Sequence, residues 1–214
     1  PMTTRRVHDQ ILAFNTAHKN IHLDLLDAPV SGGVKGAEGA TLTFMVGSSH
    51  DEALEVVQPF FEIMGSRIFV CGKSGTGSVT KLCNNLALGA QMVGICEAMN
   101  LGDALGVDPV ILANVMNAST AKCWSSDICN PHPTVAKSMQ EERQGNGPPA
   151  CQNYEGGFGA NLMLKDLSLA VDAGQQAGVA LPVGVTAKEL YRLAQLRGMG
   201  DKDFGIMLQF LLGK

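Results

Sequence analysis

With 214 residues, 45% of them hydrophobic and 17% charged, the chain can bury a core in one or two globular domains, and its composition excludes intrinsic disorder. A formal net charge of -4 without a long basic run excludes nucleic acid and an anionic membrane as principal partners and points to a small-molecule ligand. Six cysteines, at 71, 83, 96, 123, 129 and 151, lie mostly in apolar segments with neither a Cys-x-x-Cys pair nor a compact histidine cluster; they read as reduced, buried thiols of an intracellular protein, and no metal site is expected.

Pro1 runs straight into a helical pattern with no initiator methionine, signal peptide or transit segment ahead of it, which reads as part of a longer chain. Thr3 or Thr4 can cap a first helix whose Val7, Ile11 and Phe14 share a face, and Ile21 to Leu26 follows as a strand. Asp27-Ala28-Pro29-Val30-Ser31-Gly32-Gly33 is a loop at that strand's end, and Thr41 to Val46 is a second strand. Ser49-His50-Asp51-Glu52 has capping-box form and opens a helix with Leu54, Val57, Phe61 and Met64 inward, before a third strand from Arg67 to Cys71. This is the closing part of an α/β sheet.

From Gly75 nothing breaks a helix until Gly106-Val107-Asp108-Pro109, so one helix of roughly 28 residues should span about 40 Å. Apolar Leu82, Leu86, Leu88, Val93, Ile95 and Met99 cover more than one face of it, while polar Asn84, Asn85, Gln91, Glu97 and Asn100 argue against a membrane span. Beyond it the pattern turns all-helical. Asp108-Pro109 is a cap with proline at the first helical position, Cys123-Trp124-Ser125-Ser126 is a loop or short helix, and residues 130 to 157, rich in proline, read as an irregular loop. Three helices close the chain, at about 160 to 177, 182 to 197 and 203 to 212, with Gly178 and Gly198 as stops and Pro182 as a start. The fold class is α/β followed by all-α, divided as 1–73, a connecting helix 74–107, and 108–214.

Gly72-Lys73-Ser74 is not a phosphate loop, because Arg67 stands where its first glycine belongs. Gly75 and Gly77 do not complete a dinucleotide fingerprint, since Thr80 replaces the third glycine, and Gly32-Gly33-Val34-Lys35-Gly36 fails the pattern too. Lys81 and Asn85, four apart, share a helix face; either both serve one ligand, or Lys81 snorkels to water and Asn85 makes a local contact. Ser31-Gly32-Gly33 is either a hydroxyl-and-amide nest for a carboxylate or a plain turn. Phe158, then Lys165 and Asp166 on a helix, offer an aromatic ring, a cation and a carboxylate.

In combination, Asp27 to Gly33, Gly72-x-x-Gly75-x-Gly77-x-x-x-Lys81-x-x-x-Asn85, Cys123-Trp124-Ser125-Ser126, and Gly157-Phe158 ahead of Lys165-Asp166 form a pattern that resembles the β-hydroxyacid dehydrogenases, from near Pro1 to the end. The resemblance is nearest to the branch that acts on 3-hydroxyisobutyrate in valine breakdown. 6-Phosphogluconate dehydrogenase is less similar, since it carries a histidine three residues after the lysine, where Asn84 stands. The resemblance implies that residues 1–73 are the remainder of a dinucleotide-binding Rossmann domain, followed by an interdomain helix and a helical domain. It implies NAD, or NADP, as cofactor, a 3-hydroxy acid as substrate, a homo-oligomer and a mitochondrial location.

By the same resemblance Lys81 is the acid/base, and a nearly charge-free helix favours the neutral amine a base requires. Asn85 holds the substrate, Ser31 with the Gly32 and Gly33 amides grips its carboxylate, and Trp124 walls the pocket. Phe158 and Lys165 contact the cofactor and Asp166 orders that pocket. The chain departs from the family in lacking the glycine-rich pyrophosphate loop and in a longer stretch at 135–150. A non-catalytic oligomerisation scaffold, or a related 3-hydroxy acid or glyoxylate-type reductase, stands as the alternative.

Overall fold

The computed structural model describes residues 2–145 and 147–213. Pro1, with the reading placed on the chain's start, and Asn146, in the expected 130–157 loop, lie outside the described residues. The chain divides into two compact units, residues 1–84 and 85–214.

In the first unit, helix α1 (Met2–Ala17) half-buries Val7, Ile11 and Phe14, as their spacing dictates. Two residues, Val30–Ser31, form β1, which pairs antiparallel with β2 (Leu42–Gly47) through Val30 opposite Phe44 and Ser31 opposite Thr43. Strand β2 pairs parallel with β3 (Gly65–Gly72), and helix α3 (Asp51–Met64) makes the crossover, giving the sheet order β1-β2-β3. Phe44, Met45 and Val46 are buried, and Phe44 stacks on Phe61 of α3 with ring centroids 4.5 Å apart. Met64, expected inward, is 44% exposed, because α3 ends there and Gly65 at once begins the next strand.

The expected strand at Ile21 to Leu26 does not form. Asn15 donates from Nδ2 to Leu23 O (2.8 Å) and accepts Leu23 N at Oδ1 (3.0 Å), and Ser74 Oγ donates to Leu25 O (2.7 Å), so side chains take the bonds a ladder would have used. Only Asp27 reaches the sheet there, in an isolated antiparallel bridge to Gly47. A short helix α2 (Gly33–Glu38) occupies what read as loop. The capping box at Ser49 is not made: His50 is the cap residue of α3, and the Ser49 hydroxyl meets Ser74 Oγ at 3.0 Å and accepts Ser74 N.

Helix α4 runs from Thr76 to Ala104, and no described helix is long and apolar enough to cross a membrane. In the second unit, α5 (Pro109–Ala118) is capped by Asp108, which accepts Val110 N and Ile111 N. Four residues, Trp124–Asp127, form α6. Helix α7 (Pro133–Arg143) corrects the expected 130–157 loop: Pro133 sits in the first turn, where its missing N–H costs nothing, His132 Nδ1 caps Thr134 N, and Val135, Ala136 and Met139 are buried. A 3₁₀ turn at Pro149–Gln152 precedes α8 (Ala160–Ala177), stopped by left-handed Gly178, and α9 (Pro182–Leu196). The last expected helix splits into a 3₁₀ turn, Phe204–Ile206, and α10 (Met207–Leu211), because the Asp203 carboxylate takes Gly205 N. Met92, Met99, Met163, Leu167, Tyr191, Phe204, Met207 and Leu208 form the core of this unit. Cys96 and Cys129 are buried as expected, but Cys83 is exposed on α4 rather than buried.

Candidate active site

The glycines at the start of α4 serve a crossing of backbones. A Cβ on Gly77 would meet Asp27 O at 2.8 Å and Gly47 N at 2.9 Å, and one on Gly47 would meet Lys73 O at 2.8 Å, so strand end and helix start approach as only glycines permit. The carboxylate of Asp27 then occupies the helix N-terminus, accepting Gly75 N at Oδ1 and Ser78 N at Oδ2, each at 2.5 Å. The chain thus supplies its own anion where a phosphate would sit in a nucleotide loop. Asp27 was legible only as part of a loop motif; its partners lie 48 and 51 residues away.

Over the sheet of the same unit lies a cleft of about 490 Å³, lined by Ser31 of β1, Thr43 and Met45 of β2, Phe69, Val70 and Cys71 of β3, and Thr80 and Asn84 of α4. Its size suits a small ligand, and the hydroxyls of Ser31, Thr43 and Thr80 and the amide of Asn84 line it from two strands and a helix. Of the substrate residues expected from the sequence, Ser31 lines this cleft; Gly32 (φ 141°) and Gly33 (φ 60°) follow it as the turn into α2. Thr43, Thr80 and Asn84 were not singled out as site residues; Thr80 stood out only as the break in the dinucleotide fingerprint, and Asn84 only as the replacement of a histidine. Lys81 is half-buried on α4.

In the second unit, Asn85, 2% exposed, donates from Nδ2 to Asp166 Oδ2 at 2.6 Å, and Lys165 Nζ lies 2.9 Å from Asp166 Oδ1. Asn85, Asp166 and Lys165 are therefore one connected polar group, with the lysine side chain 60% exposed and its carboxylate partner 10%. Trp124 and Phe158 both contact Phe204, Trp124 stacked at 6.3 Å and Phe158 edge-on at 6.0 Å between centroids. The Cys-Trp-Ser-Ser motif aims Trp124 through its cap: Ser126 Oγ accepts Cys123 N and donates to Cys123 O. Ser125 Oγ is buried without a partner among the described residues.

Sequence reasoning missed Asp203, which accepts Phe158 N at Oδ2 and Gly205 N at Oδ1, both at 2.9 Å, and so fixes the backbone that presents Phe158. Burial pushes its carboxyl up to about 6, against the pull of those two N–H bonds. It also missed a cluster in the first unit, His22, Asp24 and His50, whose ligand atoms lie within 4.8 Å of one another.

Phe158, Lys165 and the buried Ser125 hydroxyl are, group by group, of the kinds that a nicotinamide riboside meets by stacking, charge and a hydrogen bond. In the first unit, the α4 N-terminus is taken by Asp27 and offers no place to a phosphate.

Comparison with known proteins gives the class first: residues 2–72 match the NAD binding domain of 6-phosphogluconate dehydrogenase, and residues 75–211 match the domain described as NAD-binding of NADP-dependent 3-hydroxyisobutyrate dehydrogenase. Both matched domains are NAD(P)-binding domains of the dehydrogenase class. The chain belongs to the 3-hydroxyisobutyrate dehydrogenase family. It is 46% identical over 187 residues (87% of this chain, 55% of the relative) to a probable mitochondrial 3-hydroxyisobutyrate dehydrogenase of Dictyostelium discoideum. It is 42% identical over 207 residues (97% and 64%) to an NAD-dependent L-serine dehydrogenase of Pseudomonas aeruginosa. The structure of Mycobacterium tuberculosis 3-hydroxyisobutyrate dehydrogenase with L-serine is similar with a TM-score of 0.83 at 36% identity, covering 97% of this chain and 65% of that one. The chain thus spans a little over half to about two thirds of the length of these relatives.

Proposed function

We propose that the protein oxidises 3-hydroxyisobutyrate to methylmalonate semialdehyde in valine breakdown, with NAD or NADP, and that Lys81 is its acid/base. The observation that carries this reading is the Lys81-x-x-x-Asn85 pair on α4, with Asn85 buried and tied to Asp166, in a chain of this family. The nicotinamide supplies a hydride acceptor when bound. Lys81, as the neutral amine, takes the hydroxyl proton of the substrate; Asn85 orients that hydroxyl; Ser31 and the amides of Gly32 and Gly33 hold the carboxylate. Trp124 walls the pocket, Phe158 and Lys165 hold the nicotinamide end, and Asp166 sets both Lys165 and Asn85.

The division of labour that goes with this reading is a nucleotide-binding remainder at 1–73, a connecting helix at 74–107 and a helical domain at 108–214, in a homo-oligomer. Mitochondrial location rests on relatives that carry the word in their names. A second reading is favoured by the L-serine dehydrogenase relative and by the neighbour with L-serine. Serine and 3-hydroxyisobutyrate share a hydroxymethyl group and a carboxylate and differ only in an ammonium for a methyl, so one site geometry can serve both. The test is kcat/KM for 3-hydroxyisobutyrate, L-serine and 6-phosphogluconate side by side. A preference for the first is expected, serine in first place selects the second reading, and a preference for the phosphosugar overturns both. A non-catalytic scaffold would turn over none of them.

A further inference from the structure

The first unit holds a cluster with the chemistry of a metal centre, apart from every residue assigned to the dehydrogenase. His22 Nε2 lies 3.1 Å from Asp24 Oδ2, His50 Nδ1 lies 2.5 Å from Asp24 Oδ1, and the ligand atoms of all three residues are within 4.8 Å of one another. We propose that His22, Asp24 and His50 bind a divalent transition-metal ion of the zinc class, which ties the segment ahead of Asp27 to the start of α3.

Two imidazoles and one carboxylate are a donor set that zinc, and imidazole-preferring ions near it, favour over magnesium or calcium. Ligand atoms about 2.0–2.1 Å from a tetrahedral ion stand roughly 3.3 Å from each other. Each ring meets a different oxygen of Asp24, and with one ligand atom taken from each residue the three lie within 4.8 Å of one another, so the set has to close by at most about 1.5 Å around an ion. The ion would replace the protons that now join both rings to Asp24, and three protein ligands leave a fourth position for water.

The backbone on both sides is held in place beforehand. His22 and Asp24 already meet side chain to side chain, and the residue between them, Leu23, is clamped by two bonds to Asn15. His50 is held by Ser48, whose hydroxyl donates to His50 O at 2.7 Å and accepts His50 N at 3.3 Å. An ion here would cross-link positions 22 and 50 next to Leu25, whose carbonyl accepts from Ser74, and Asp27, which caps α4. It would steady the stretch of chain that leads to Ser31 without touching a reacting atom.

The test is calorimetric titration of the protein with Zn²⁺ at neutral pH, repeated with Co²⁺ to read the ligand field, for the unaltered chain and for His22→Ala, His50→Ala and His18→Ala. Support consists of one equivalent bound at roughly micromolar Kd, weakened at least about tenfold by each of the first two substitutions and unchanged by the third, with a cobalt spectrum free of thiolate charge transfer. His22 is 69% exposed, so its loss leaves the fold intact. In the unaltered protein, ring-proton resonances of His22 and His50, but not His18, should also broaden with Co²⁺. Binding no tighter than about millimolar, equal affinity in the variants, or a sulfur-ligated spectrum from one of the six cysteines each overturn the proposal and leave a hydrogen-bonded His-Asp-His cluster.

Discussion

Asn85 hands an amide proton to Asp166 across 81 residues of sequence, at 2.6 Å and almost wholly out of water. Removing that acceptor is costly because the amide stays buried. Asp166→Ala should destabilise the second unit by about 1–3 kcal/mol, read as a lower urea midpoint with an unchanged slope. Asp166→Asn keeps one acceptor oxygen and should lose clearly less; equal losses would mean that the pair contributes nothing to stability.

Lys81→Ala should lower kcat by roughly 10²–10⁴-fold with little change in cofactor affinity. Lys81→Arg should fail too, because a guanidinium keeps its proton. A loss below about tenfold would make Lys81 a structural residue.

The Asp203 carboxyl binds its proton more tightly folded, at about 6, than unfolded, near 3.8. Its favourable contribution is therefore complete below pH 3.8 and is lost as pH rises through 6, costing roughly 3 kcal/mol at neutral pH. Other carboxylates obscure this in the unaltered protein, so the comparison is with Asp203→Asn. The variant gives up one of two N–H acceptors, and its stability relative to the parent should be lowest near pH 4 and improve towards pH 7. A difference that does not vary with pH would show that Asp203 titrates normally.

Two glycines on α4 should respond oppositely to alanine. At Gly77 the new methyl meets backbone atoms of Asp27 and Gly47 that cannot yield, and a loss above about 2 kcal/mol is expected. At Gly94 nothing lies within 4 Å, and alanine should stabilise the helix by about 0.5–1 kcal/mol. Thermal unfolding of both variants decides it, and a neutral Gly77→Ala would refute the crossing as a constraint.

What could be read from the chain alone depended on how local the determining contacts are. Helices α4, α5, α8 and α9 were legible because cap, stop and apolar period agree within each segment, as at Asp108-Pro109 and Gly178. Residues 21–26 have strand composition, yet a strand exists only if a partner offers its ladder, and here Asn15 and Ser74 took the bonds. Helix α7 hid behind Pro131 and Pro133, read as breakers although the second merely begins it. In the site, the four-residue spacing of Lys81 and Asn85 was visible as a shared helix face. The parts that depend on distant contacts, Asp27 at the α4 N-terminus, Asp203 behind Phe158 and His50 beside His22, leave no local trace.

The Asp27 clasp also has a place in time. It joins positions 48 and 51 residues apart, and the chain between them carries β1, α2 and the β2-α3-β3 crossover, whose own partners are nearer in sequence. Closing the larger loop gains little until that crossover exists, so the clasp should be assembled late and released early. The amides of Gly75 and Ser78 would then exchange their hydrogens well before those of β2. The first turn of the helix that bears Lys81 would be a region that loosens while the sheet beneath it is still intact.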